Sequence, residues 1–382
     1  MFFKDIAGHN KIKESLLNTI KQRRMSHAWL FTGPEGNGKL AMAIAYAQYL
    51  SCEDKGEKDS CGKCSSCKKY EKLIHPDLHF VFPVVRNKKF TKPVSDDFVS
   101  VWRKFVLESA YHGFEEWLQK LEVENQQAGI FTQESEAIIK KLNFKPYESE
   151  YKVMVIWLPE KMNVTASNKL LKMIEEPPPK TLFLLIADDT EKIIKTILSR
   201  VQLIKIPKIS RESMIESIKE KYELADDRIN EIVRIADGNF LKVNDLINNS
   251  EQNIDSENYV WFTELMRLSY GVKVNELIVW ADYISKSGRE VQKGFLEYAL
   301  QMLRENFILN INSENQNKIV FLTNKEKNFS EKFNKFIHKD NILQITNEFT
   351  EAHSHIERNG YGKLIFLDLA LKTARLLKVK PQ

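Results

Sequence analysis

One stretch constrains this chain more than any other: GPEGNGKL, running from Gly33 to Leu40. It stands between a short apolar run at 27–32 and an Ala- and Leu-rich segment at 40–50 that reads as helix. Strand, glycine turn and helix in that order describe a loop of the G-x4-G-K type, and hence a P-loop α/β fold. Gly33, Gly36 and Gly38 allow backbone N–H groups to wrap an anion, and the helix offers the positive end of its dipole. Lys39 would reach the outer phosphates of a bound nucleotide. The hydroxyl that normally follows this lysine is absent. Leu40 stands in its place and cannot coordinate a cation, so no Mg2+ site is expected. A cofactor role for Gly33, Gly36, Gly38 and Lys39 therefore stays open: a degenerate phosphate loop that binds ATP, or a glycine turn that binds none.

The cysteines supply the second constraint. The chain has four, Cys52, Cys61, Cys64 and Cys67, all in the 16 residues of 52–67 with spacing C-x8-C-x2-C-x2-C. A disulfide scaffold would spread its cysteines to close long loops. Two-residue spacers instead let neighbouring thiolates converge on one tetrahedral Zn2+. With four sulfur ligands no coordination position is left for water, so such a site is structural. The alternative is a group of free or redox-active thiols.

Apolar runs alternating with helical patterns extend this reading along the chain. The segments 152–157 and 181–187 read as fully buried strands, and 79–85 as extended. The segments 134–142 and 165–176 read as helices, the latter stopped by Pro177, Pro178 and Pro179. Continuous apolar strands between helices predict a parallel sheet covered on both faces. Phe98, Val101, Trp102 and Phe105 form one apolar stripe; Phe114, Trp117, Leu118 and Leu121 form another, a helical pair inserted at about 86–130. After Pro207 strands vanish. Residues 210–250 read as a small helical unit with a turn at Gly238, and 257–382 as long helices, including 290–310 and 362–378. At 382 residues the length predicts two or three domains. The net charge of +5 makes the chain no polycation, so any nucleic-acid contact would be local or through an assembly. No apolar run is long enough to span a membrane, and the expected location is cytoplasmic.

The opening FKDIAGHNKIKESL, the run RRMSHAWLFTGPEGNGK, the cysteine loop, NKLLKMIEEPPPKTLFLLIADD and TILSRV together resemble bacterial clamp-loader subunits of the AAA+ superfamily. The likeness is greatest to the delta-prime branch of DNA polymerase III clamp loaders and runs to about residue 250. It implies an AAA+ α/β domain at 1–207, a helical lid at 208–253 and an all-α collar at 254–382.

The departures from that family are as informative as the likeness. Its ATPases carry an Asp-Glu pair where this chain has Trp157 and Leu158, so the Mg2+ ligand and the water-polarising base are both missing. Glu160 is out of register and is expected at the surface. The family's polar sensor position falls near Asp188, whose charge would repel a γ-phosphate. The lid arginine falls on Leu241, with Lys242 beside it. What is retained is Ser199-Arg200, which in this family projects into a neighbouring subunit's ATP site as an arginine finger. Read this way, the chain is a non-hydrolysing ring subunit that works with gamma/tau and delta subunits, the sliding clamp and primed DNA. Two rivals are an active gamma/tau-like ATPase and a stand-alone zinc-containing DNA-binding protein.

Other candidates read as structural or solvated. The spacing of Trp102 and Trp117 points to core packing rather than base stacking. His75, His79 and His112 show no partner pattern. The basic stretch 86–92 and Lys68-Lys69 read as solvated.

Overall fold

In the computed structural model five strands form one all-parallel sheet: β1 (Ala28–Thr32), β2 (Leu78–Val81), β3 (Lys152–Trp157), β4 (Thr181–Ala187) and β5 (Gln202–Lys205). Their spatial order is β2-β3-β4-β1-β5, so β4 lies between the two strands whose ends carry the glycine loop and Trp157. The described residues are 1–86, 90–122, 128–248, 257–311 and 320–380.

The two faces of β3 show why its sequence is apolar throughout. Val153, Val155 and Trp157 enter one core with the helix after the glycine loop, while Met154 and Ile156 enter another with Leu170 and Ile174. A parallel strand covered on both faces needs no polar alternation. The helices of this unit are α1 (Asn10–Lys21), α2 (Lys39–Ser51), α3 (Ser65–Glu71), α4 (Val99–Glu108), α5 (Phe114–Lys120), α6 (Thr132–Leu142), α7 (Val164–Glu175) and α8 (Lys195–Leu198). From Lys39 to Leu50 every residue of α2 is buried, which explains its small, apolar composition.

The helical pair expected as an insertion is part of the main core. Trp102 stacks on Phe82 with ring centroids 4.2 Å apart and meets Trp117 edge-on at 5.2 Å. Core packing is therefore the role of both tryptophans. Three short helices follow β5: α9 (Arg211–Lys221), α10 (Asp226–Ala236) and α11 (Phe240–Asn248), with the turn at Asp237 and Gly238 between the last two. These elements, save the last residue of α11, fall in one compact unit, Met1–Ile247, and a second unit spans Asn248–Gln382. The expected lid–collar boundary at 253/254 lies outside the described residues.

The second unit is helical throughout its described residues. Helices Glu257–Tyr270, Val274–Ser285, Arg289–Ile311, Ile342–Glu357 and Gly362–Leu376 enclose Trp261, Trp280, Phe295, Phe349 and Phe366. No helix of the described residues is long and apolar enough to cross a membrane.

Candidate functional site

The glycine loop joins β1 to α2 at the carboxyl edge of the sheet, where ligands of open α/β sheets bind. The chain's own groups already engage it. Lys39 is 5% exposed; its Nζ lies 2.6 Å from Asp188 Oδ1 and donates to the Pro34 carbonyl at 2.9 Å. The Lys39 amide, at the start of α2, donates to Asn37 Oδ1 at 3.2 Å, and Asn37 Nδ2 donates to the Ile206 carbonyl at 2.8 Å. From the other side, the Phe240 amide donates to the Gly36 carbonyl at 2.9 Å. A Cβ at Gly36 would stand 1.8 Å from Asn239 Oδ1, so only glycine admits this approach.

Two further carboxyls, those of Glu35 and Glu160, feel the Asp188 charge. Burial first, then the Asp188 charge, pushes Glu35 up to about 7. The same two causes in the same order push Glu160 up to about 7. Glu160 is thus not the surface residue expected from the sequence. Its Oε1 accepts the Asp188 and Asp189 amides at 2.8 and 3.2 Å, and its Oε2 is buried without a partner. At the positions of the expected Asp-Glu pair, Trp157 is 3% exposed and packs on Trp102 at 5.1 Å, and Leu158 is buried at φ 56°. Leu40 is buried in the same core.

Ser199 and Arg200 close the short helix α8, away from the loop's own bonds. Arg200 Nε pairs with Glu175 Oε1 at 2.6 Å, and its Nη1 donates to the Thr196 carbonyl and to Ser199 Oγ, both at 3.0 Å. Ser199 thereby helps fix the guanidinium. These bonds use three of its five N–H donors. The side chain remains 40% exposed.

The four cysteines do converge. Cys52 ends α2, Cys64 caps α3, and all four Sγ atoms lie within 4.8 Å of one another, with no disulfide among them. A tetrahedron with Zn–S bonds of about 2.3 Å has S···S edges of about 3.8 Å, so the group fits that ion with a small contraction. The amides of Lys63 and Cys64 both donate to Cys61 Sγ at 3.4 Å, and they pull that thiol down to about 6. Backbone donors aimed at sulfur favour thiolate, the form that binds metal.

The remaining candidates resolve as contacts. His79 and His112 are pushed down to about 4, chiefly by burial, and stay neutral. Lys69, expected in solvent, pairs with Glu148 at 2.5 Å, and Arg86 lies 4.2 Å over the Phe131 ring. Residues 87–89 of the basic stretch are outside the described residues.

Glycine loop, strand order and the helices laid against the loop define a P-loop α/β unit of the AAA+ kind, followed by an all-helical unit. The family described as DNA polymerase III, delta subunit, matches residues 8–210, more than half of the chain, and the chain belongs to it. The chain is similar to proteins named as DNA polymerase III subunits. It is 29% identical over 210 residues to the DNA polymerase III subunit delta' of Bacillus subtilis (strain 168), covering 54% of this chain and 51% of that protein. It is 26% identical over 241 residues to subunit tau of the same organism, covering 62% and 35%. With subunit gamma of Buchnera aphidicola subsp. Acyrthosiphon pisum (strain APS) it shares 25% over 356 residues, covering 88% and 84%. The chain thus spans about half or less of the two Bacillus relatives.

Proposed function

We propose that this chain is the non-hydrolysing, delta-prime-like member of a replicative clamp loader, acting on a neighbour's ATP through Arg200. The observation that carries this reading is the Lys39–Asp188 pair. The cation meant for outer phosphates is neutralised inside the chain, and no hydroxyl or acid pair stands ready for Mg2+. The identities to gamma and tau are about as high as that to delta'. The gamma/tau rival, however, requires Lys39 to leave Asp188 and a base to be found where Trp157 stands.

In this reading 1–207 is the AAA+ core, 208–253 its lid and 254–382 the collar. The partners are gamma/tau and delta subunits, and through the assembly the sliding clamp and primed DNA. Arg200, held by Glu175 and Ser199, would offer a planar guanidinium to charge developing on a neighbour's γ-phosphate. Cys52, Cys61, Cys64 and Cys67 would hold a structural zinc ion. The chemistry of the donor set supports zinc, because four convergent sulfurs suit a closed tetrahedral site.

Two assays test the reading. The isolated chain should show no ATP turnover; turnover abolished by Lys39→Ala would establish the rival. In a reconstituted loader, Arg200→Ala should slow the dependent ATP site by about 10³-fold or more and impair clamp loading, whereas Arg200→Lys should rescue only part. Full DNA-stimulated ATPase and loading by Arg200→Ala would remove the finger role.

A further inference from the structure

The turn between α4 and α5, residues 109–113, reaches across to the glycine loop. Tyr111 is 2% exposed and lies face to face with Phe240, the first residue of α11, with ring centroids 4.3 Å apart and planes within 10°. Its hydroxyl accepts the Ala7 amide at 2.8 Å. A Cβ on Gly38, the residue that caps α2, would touch the Tyr111 ring at 3.3 Å and Ile6 at 2.9 Å. One step along, the Phe114 amide donates to Glu35 Oε1 at 3.1 Å, inside the glycine loop itself.

A nucleotide with its phosphates against residues 33–39 must lead its ribose and base out past the first turn of α2. The walls of that route are the segment around Ile6 and Ala7 on one side and Phe240 on the other. Tyr111 fills the space between them. A flat ring stacked on an aromatic face, with one polar atom on a backbone N–H, is also how protein pockets recognise a purine. At the phosphate end, the Asp188 carboxylate takes the ammonium of Lys39.

We propose that residues 109–114 and Asp188 are a built-in occupant of the nucleotide pocket. Tyr111 stands where a purine would stack and Asp188 where a phosphate would pair, and the chain thereby excludes purine nucleoside triphosphates. The tethered turn bridges loop and lid through Ala7, Glu35, Gly38 and Phe240, and a tethered occupant is present at every nucleotide concentration. This deepens the non-hydrolysing reading and rests on it, and it gives the 86–130 insertion a task.

The test is equilibrium binding of ATP and a fluorescent ATP analogue to the full chain. Wild type should show no saturable binding up to millimolar nucleotide. The double variant Tyr111→Ala, Asp188→Ala, if it melts cooperatively, should gain saturable binding at least about tenfold tighter than any wild-type signal. Adding Lys39→Ala should abolish that gain. Lys39-dependent binding by wild type, or no gain in the folded double variant, would overturn the occupant. Should the double variant fail to fold, hydrogen exchange on wild type decides. The amides of Lys39 and Phe114, both hydrogen-bonded within the chain, should be protected and those of 33–39 unchanged by millimolar ATP; rapid exchange at Phe114 or added protection by ATP would refute the proposal. Binding without turnover would sink only the occupant, whereas turnover would sink the non-hydrolysing reading as well.

Discussion

The two ends of α2 carry the two loops that the sequence marks for ligands, and they have been treated in opposite ways. At the amino end several groups are engaged from within: Lys39 by Asp188 and Pro34, the Lys39 amide by Asn37, and the Gly36 carbonyl by Phe240. At the carboxyl end four sulfurs sit within 4.8 Å of one another, and backbone amides are aimed at three of them. Thiolates so close repel one another unless a cation lies between them. The amino end thus turns to counter-groups of its own chain, while the carboxyl end keeps its sulfurs convergent.

The largest effect separating the two ends should come from the metal. Purified chain should contain about one zinc ion, and Cys64→Ser or a strong chelator should destabilise it by a few kcal/mol. That is less than the ~10–16 kcal/mol of zinc-finger peptides, because this loop hangs on a core that folds through other contacts. The loss should appear as a lower melting midpoint and as faster exchange at 52–67. A chelated chain with unchanged melting would mean that the convergent sulfurs are as self-sufficient as the other end of the helix.

How much of this contrast is legible in the residues follows from distance along the chain. The loop, β1 and α2 can be read because their signal is local: glycines in turn, an apolar strand before and an Ala-rich helix after. Trp102 and Trp117 can be placed in the core from helical spacing alone. By contrast β5 carries no strand signal. Gln202–Lys205 is an edge strand, largely exposed, held by its pairing with β1. The helix α1 is preceded by His9, a left-handed residue that makes no side-chain cap, and so lacks the usual start signal. Glu160 reads as a surface acid because its burial is created by amides of Asp188 and Asp189, remote in sequence. The contact of Tyr111 with Gly38 and Phe240 likewise joins three separate segments and leaves no periodic trace.

Glu160 gives the second test, of intermediate size. Its pKa is raised above the ordinary 4.5 to about 7 in the folded chain, by burial and then by Asp188. The folded state therefore holds this proton more tightly than the unfolded state. The resulting stability is fully present below about pH 4.5 and is lost as pH rises through about 7, by up to about 3 kcal/mol for a shift of this size. Glu160→Gln keeps an acceptor for the Asp188 and Asp189 amides but cannot ionise. Unfolding in denaturant should show a shallower decline for the variant between pH 5 and pH 7.5. Parallel curves for the two proteins would mean that Glu160 is ionised and paired, and the amino end would then be less self-contained than its geometry implies.

The smallest effect should come from removing the ion pair as a whole. Lys39→Met alone leaves Asp188 beside Glu35 and Glu160 without a counter-charge, and should destabilise the chain. The double change Lys39→Met, Asp188→Leu removes the charge and its partner together. The pair is only half-buried, with the Asp188 side chain 32% exposed, and even a fully buried pair can often be replaced by apolar groups of similar volume at little cost. In an assembled loader the double variant should keep wild-type ATPase and clamp loading, with a melting midpoint near that of wild type. A protein whose fuel site lay at this loop would lose activity with its lysine. One that uses the loop only to bind its own lid loses nothing that a methionine and a leucine cannot replace.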